Sequence, residues 1–212
     1  MTDYKKPDPW QIKARKEGYP ARSVYKLQEM DEKYGLLKPL RPGRPFGVLD
    51  LGAAPGSWSL YVLRKMAGLS PAAGPFLVSA DLCPLSRKFD AGLFDGGNFH
   101  FIQGDITDPA VRSEILSRSP CHLIISDAAP ATTGNRFVDT CRSLDLTEQV
   151  VTYAETALAQ GGNLVVKVFQ GGDTSELLKR LRTLFTNAKS YKPQACRSES
   201  FETYYIGLGR KG

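Results

Sequence analysis

Hydrophobic and polar positions follow two rhythms along the chain. Residues 1–20 carry little periodicity, and Pro7, Pro9 and Pro20 act as breakers, so an extended or partly helical arm is predicted there. Ser23 stands where a helix cap belongs. Val24, Leu27, Met30 and Tyr34 then recur on one face and predict a helix to about Tyr34. LLKPLRPGRP reads as a loop. From Phe46 the pattern changes to short apolar runs: FGVLDLG, GPFLVSAD, FHFIQGD, CHLIISD and GGNLVVKVF. Between them lie segments of helical spacing. These are SWSLYVLRKMAG ending at Gly68, PAVRSEILSRS, Asp139 to Gln160 with Leu144, Val151, Ala154 and Leu158 aligned, and DTSELLKRLRTLF with Leu177, Leu181, Leu184 and Phe185 aligned. AKSYK and TYYIGLG predict two closing strands. Apolar strands alternating with helices predict an α/β fold whose seven-stranded, mostly parallel sheet is covered on both faces.

Composition changes this picture little. The 212 residues, 42% hydrophobic and 24% charged, suffice for one α/β domain without disulfides. Cys83, Cys121, Cys141 and Cys196 are widely spaced with no CxxC, so free thiols in a reducing cytoplasm are expected rather than a zinc site. No apolar run is long enough for a membrane span, and the first residues show neither a secretory h-region nor an Arg- and Ser-rich transit pattern. The net charge of +6 is unevenly placed. Residues 1–47 hold 11 basic and 6 acidic side chains, residues 48–159 hold 8 and 12, and residues 160–212 hold 9 and 4. Basic ends flanking an acidic middle suit a polyanion such as RNA.

Ligands of open parallel sheets sit beyond the carboxyl ends of the strands. The first strand ends in DLGAAPGSW. Gly52 and Gly56 permit a sharp turn and close approach to a ligand, whereas Pro55 removes an amide donor and Asp50 adds negative charge. Both features disfavour a pyrophosphate and suit an amino-acid moiety with a sulfonium cation. Asp81 ends the second strand, where a carboxylate accepts from a ribose diol. Asp105 follows the third, in reach of an adenine amino group. Asp127 follows the fourth, so four strands end in acids. Together these ends match S-adenosylmethionine. Lys167 lies inside the apolar fifth strand, where an unpaired charge is costly. Paired with Asp127 on the neighbouring strand, it is a candidate general base. His100 and His122 form no ligand cluster, and no metal is expected.

ARSVYKL, VLDLGAAPGSW, the ADL of the second strand, GDITD, ISDAAP, LVVKVFQG and ETYYIGLGRK together resemble the FtsJ-like ribose 2′-O-methyltransferases, within them most closely the bacterial branch acting on 23S ribosomal RNA. The resemblance runs from about Ala21 to Lys211. It implies a Rossmann-like class I methyltransferase fold in a single domain, 1–212, with residues 1–20 as a basic arm and 21–212 as catalytic core. It implies a tetrad of Lys26, Asp127, Lys167 and Glu202, with Glu202 preferred over Glu199 for its spacing to the final strand. It also implies cofactor contacts at Gly56, Trp58, Asp81, Asp105 and Asp127. The sequence departs from the family at Ala128 and Ala131, where Met and Asn are usual, and in a longer loop from Pro84 to Asn98.

The activity this implies is in-line transfer of a methyl group from S-adenosylmethionine to a ribose 2′-hydroxyl of RNA, leaving S-adenosylhomocysteine. A monomeric cytoplasmic enzyme acting on a uridine of the large ribosomal subunit is expected. Transfer RNA is the rival substrate, a non-catalytic assembly factor the rival class, and a small-molecule methyltransferase a third reading. Lys5, Lys6, Lys13, Arg15, Lys16, Arg22, Lys192 and Arg197 are the candidate phosphate contacts. Trp10 is either a stacking surface for a base or an apolar anchor.

Overall fold

The computed structural model describes residues 8–38, 45–67, 74–171, 174–197 and 200–212. Two helices precede the sheet: α1 (Pro9–Lys16), capped by the Asp8 carboxylate on the Trp10 N–H, and α2 (Val24–Tyr34), closed by Gly35 at φ +65°. Then follow β1 (Gly47–Leu51), α3 (Ser57–Met66), β2 (Phe76–Asp81), β3 (Phe99–Gln103), α4 (Pro109–Leu116), β4 (Cys121–Ser126), α5 (Arg136–Ala157), β5 (Leu158–Phe169), α6 (Ser175–Leu184), β6 (Phe185–Tyr191) and β7 (Glu202–Arg210).

The seven strands lie in the order β3-β2-β1-β4-β5-β7-β6. Neighbours from β3 through β5 pair in parallel, and β7 runs antiparallel to both β5 and β6. Alternate residues of each strand feed opposite cores. Val48, Leu77, Leu123, Val165 and Tyr204 meet side chains of α1, α2 and α3 on one face. Leu49, Val78, Ile124, Val166 and Tyr205 meet α4, α5 and α6 on the other. The expected architecture is therefore present. No helix among the described residues is long and apolar enough to cross a membrane.

Three boundaries differ from the sequence pattern. Helix α5 begins at Arg136, because the Asn135 side chain caps the Phe137 and Val138 N–H groups. It ends at Ala157 rather than Gln160, because Leu158 pairs with Cys121 in the sheet. Phe185 leaves the α6 stripe and starts β6, where its buried ring fills the space that a Cβ on Gly207 would occupy, 2.6 Å away. The predicted end of α3 at Gly68 lies outside the described residues. Helix α1 is docked on the body. Ala14 is fully buried, Arg22 forms an ion pair with Asp8, and Arg64 donates to the Glu17 and Gly18 carbonyls.

Candidate active site

The strand order reverses between β1 and β4, and the loops after these two strands open a crevice there. Gly52, at φ +78°, is where they touch. A Cβ on it would lie 2.4 Å from the Ala128 Cβ and 2.6 Å from its Cα. Both backbone conformation and space thus require glycine, and the close approach is to protein backbone. Beside this contact lies a cavity of about 310 Å³ whose lining includes Gly52, Ala54, Asp81, Asp105, Asp127 and Ala128.

The predicted cofactor residues divide into two groups. Gly52, Asp81, Asp105 and Asp127 are on the cavity wall. Asp81 is held by the Ala54 and Cys83 N–H groups, each donating to a different oxygen at 2.8 Å. Asp105 accepts from the Thr107 N–H and hydroxyl on one oxygen, both at 2.8 Å. Asp50, Pro55, Gly56 and Trp58 are not on this wall. Asp50 is buried beneath it and accepts from Ser59 Oγ at 2.6 Å, while its Oδ1 has no hydrogen-bond partner. Burial pushes this carboxyl up to about 7, against the pull of the Ser59 hydroxyl and helped by the charges of Asp127 and Asp81. Trp58 is buried with its indole N–H donating to the Ser23 carbonyl at 2.8 Å. Its side chain is therefore structural, and what it can offer a ligand is its main chain at the start of α3. Gly56, at φ +102°, is backed by Phe94 from the long loop 84–98, whose Cζ would lie 3.0 Å from a Cβ there.

The structure brings Lys26, Asp127, Lys167 and Glu202 into one cluster, drawn from α2, the end of β4, β5 and β7. Lys26 Nζ is 2.7 Å from Glu202 Oε1 and 3.9 Å from Asp127 Oδ1. Lys167 Nζ is 3.1 Å from Asp127 Oδ1 and also donates to the Asp127 carbonyl. Asp127 feels opposed effects. Burial raises its carboxyl, but the charges of Lys167 and Lys26 and the hydrogen bonds from Tyr204 and Lys167 outweigh this and hold it below the usual range. Lys26 is likewise opposed by burial, and Asp127 and Glu202 outweigh it and raise its pKa.

Tyr204 escaped the sequence reading. Its buried hydroxyl donates to Asp127 Oδ1 at 2.6 Å, and its ring lies 5.8 Å from Lys26 Nζ and 5.9 Å from the Trp58 ring. Strand alternation holds the only signal, since Tyr204 pairs with Lys167 and so shares its face.

On the other side of the cluster is a cleft of about 440 Å³, lined by Arg22, Ser23, Lys26, Arg197, Ser200 and Glu202 among others. Arg22 is committed to Asp8 and the Ala195 carbonyl, whereas Arg197, Lys13, Arg15, Lys16 and Lys192 are exposed. Lys5 and Lys6 lie outside the described residues. Trp10 rests on Tyr25 at 5.1 Å with Lys13 across both rings, and remains partly open to solvent. His122 is structural, its Nδ1 accepting from the Gly47 N–H at 3.1 Å.

Sheet order and crevice chemistry together define a class I methyltransferase fold. Residues 19–210 match the model of the FtsJ-like methyltransferase family. Two relatives, both named ribosomal RNA large subunit methyltransferase E, are 48% identical over 99% of this chain and 98% of the Treponema denticola protein, and 43% identical over 97% and 92% for that of Oleidesulfovibrio alaskensis. A Plasmodium falciparum crystal structure described as a ribosomal RNA methyltransferase superposes with a TM-score of 0.72 at 27% identity, over 92% of this chain and all of that one. Human methyltransferase-like protein 13, solved with SAH, shares the fold at a TM-score of 0.57 and 11% identity, over 86% and 82%. The chain belongs to the FtsJ-like methyltransferase family and is a methyltransferase.

Proposed function

We propose that this chain uses S-adenosylmethionine to methylate a ribose 2′-hydroxyl of large-subunit ribosomal RNA. The observation that carries the reading is the four-residue charged cluster between an acid-lined cavity and an arginine-bearing cleft. The two bacterial relatives, named for the large ribosomal subunit, favour that substrate over transfer RNA.

The acid-lined cavity fits the cofactor's chemistry. Asp81, fixed by two backbone donors, keeps lone pairs for a ribose diol. Asp105 keeps one oxygen beyond its Thr107 contacts for an adenine amino group. Asp127 borders the methionine end, and the buried Asp50 carboxyl, pushed up to about 7 by burial, is one that a sulfonium would draw toward its ionised form. Pro55 and Gly56 shape the turn there, and the first N–H groups of α3, at Ser57 and Trp58, suit a carboxylate. Bound there, S-adenosylmethionine supplies a methyl group on a sulfonium sulfur and departs as S-adenosylhomocysteine.

Once its ammonium proton has passed to solvent, Lys167 holds the 2′-oxygen and takes its proton as the new carbon–oxygen bond forms and the methyl–sulfur bond breaks. Asp127 fixes the lysine through carbonyl and carboxylate and stabilises the ammonium that results. Lys26 and Glu202 position the ribose. Much of the rate comes from holding nucleophile and methyl in line. The whole chain acts as one unit, with exposed cations of α1 and of the segment before β7 on phosphates.

Transfer of labelled methyl to undermethylated large subunits, set against bulk transfer RNA, tests this, followed by mapping of the ribose methyl. Labelling of transfer RNA alone overturns the ribosomal reading. Lys167→Ala is expected to lose about 100-fold or more in kcat with cofactor still bound. Full activity in that variant overturns the role given to Lys167.

A further inference from the structure

Helix α5 lies along β5 in a fixed register. Thr147 Oγ donates to the Lys167 carbonyl at 3.0 Å, and Ser143 Oγ accepts from the Phe169 N–H at 3.0 Å. A Cβ on Gly171 would meet Thr140 Oγ at 3.2 Å. Moving toward the start of α5 therefore means moving past Lys167 to the carboxyl end of β5. Residues 136, 140, 143 and 147 fall on one helical face, so Arg136 continues this row beyond the strand. Its guanidinium lies 5.5 Å over the Phe201 ring, which packs edge-on against Phe169 at 4.6 Å. Phe201 directly precedes Glu202 of the charged cluster.

Phe137, the next residue, is 73% exposed, the most open of the exposed large hydrophobic side chains among the described residues. Its backbone is held firmly. Asn135 Oδ1 accepts from the Phe137 and Val138 N–H groups at 3.1 and 3.3 Å. The buried Asp139 carboxylate ties down the preceding turn through the Thr133 N–H, the Thr133 hydroxyl and the Gly134 N–H. The ring is thus presented to solvent by a braced turn, beside a cation and at the reactive end of the sheet.

We propose that Arg136 and Phe137 form a clamp for the nucleotide next to the target ribose, with its base stacked on Phe137 and its phosphate on Arg136. The proposal rests on the reading of the site as an RNA ribose methyltransferase. A ribose that reaches Lys167 must leave the regular stack of its strand, and an exposed aromatic face replaces the stacking that its neighbour loses. The adjacent guanidinium complements a phosphate. Charge beside the ring favours single-stranded RNA over an apolar protein surface.

The test measures KM for undermethylated large subunits and for a naked ribosomal RNA fragment, together with SAH affinity. Phe137→Ala is expected to raise KM for both RNAs by about 5- to 150-fold, the range for loss of one stacked base, with SAH affinity unchanged. Phe137→Trp restores wild-type KM. Arg136→Ala flattens the plot of log affinity against log salt by about one, while Phe137→Ala leaves its slope alone. If the wild type methylates RNA and Phe137→Ala keeps its KM, the clamp is overturned alone. Weakened binding of the intact subunit but not of naked RNA also overturns it, because Phe137 then docks on a ribosomal protein. A wild type that labels no RNA ribose overturns the functional reading, and the clamp with it.

Discussion

Asp50 provides a perturbation whose size follows directly from its surroundings. It lies on β1 at 1% exposure, with Ser59 Oγ on one oxygen, Ser79 Oγ 3.0 Å further on, and nothing on the other oxygen. Burial pushes the carboxyl up to about 7, against 3.8 without the fold. The folded protein thus favours the neutral acid. That advantage is complete below the unfolded value and is lost as pH rises through the folded one. In between, the unfolded chain has released a proton that the folded chain keeps. Stability therefore falls by about 1.4 kcal/mol per pH unit, and by about 4 kcal/mol across the window. Asp50→Asn has nothing to titrate. Urea unfolding of the cofactor-free protein should show wild type losing about 4 kcal/mol relative to the variant between about pH 4 and about pH 8. Other carboxylates cancel in this difference. A ligand with net positive charge favours the ionised form, so saturating S-adenosylmethionine should shrink the tilt more than S-adenosylhomocysteine does. Parallel curves for the two cofactor-free proteins would refute the reasoning.

Tyr204→Phe removes the hydroxyl that donates to Asp127 and keeps the ring. A hydrogen bond to a buried carboxylate is worth about 1.5–3 kcal/mol, so unfolding free energy should drop by that order. Single-turnover methyl transfer should slow by about 4- to 12-fold if half of that stabilisation acts on the cluster in the transition state, and an unchanged rate would make the hydroxyl purely structural. Gly52→Ala sets a Cβ against the Ala128 backbone at a residue with φ +78°. Conformational strain alone costs about 1–3 kcal/mol. Calorimetric titration should show cofactor affinity down by about tenfold or more as the two loops part, and wild-type affinity would mean that the crevice relaxes freely.

Strands β1 to β4 were legible because they are short apolar runs that lead directly into glycine or an acid. Helix boundaries were less so. Leu158 and Phe185 satisfy a helical stripe and a buried strand equally well, and only pairing with Cys121 and the gap at Gly207 decides between them. Lys167 stood out as a charge within an apolar strand. Lys26 did not, because a lysine in an amphipathic helix looks solvent-facing until Glu202 and Asp127 arrive from distant strands. Tyr204 was hidden beside Tyr205, since either ring fits the same apolar pattern and only register against Lys167 separates them. The role of Asp50 changed for a similar reason. Its position before the glycine loop was plain, but its burial and its orphaned oxygen belong to the packing of α3 on β1.

Two lysines and two carboxylates make the central cluster formally neutral, and that balance explains why it can sit where it does. Each charge is largely withdrawn from water, and an unpaired member would be costly. Asp127 Oδ1 is the hinge of the arrangement, facing Lys167, Lys26 and the Tyr204 hydroxyl together. The four groups come from α2, β4, β5 and β7, so neutrality is reached only when the helix layer of the first face, the parallel half of the sheet and its antiparallel strand are all assembled. Any single substitution there removes a charge and a fold contact at once. A loss of activity at Lys26 or Glu202 therefore speaks to chemistry only when unfolding free energy is measured beside it. The first face of the sheet thus both buries α2 and completes the site, and those two roles cannot be varied independently in this fold.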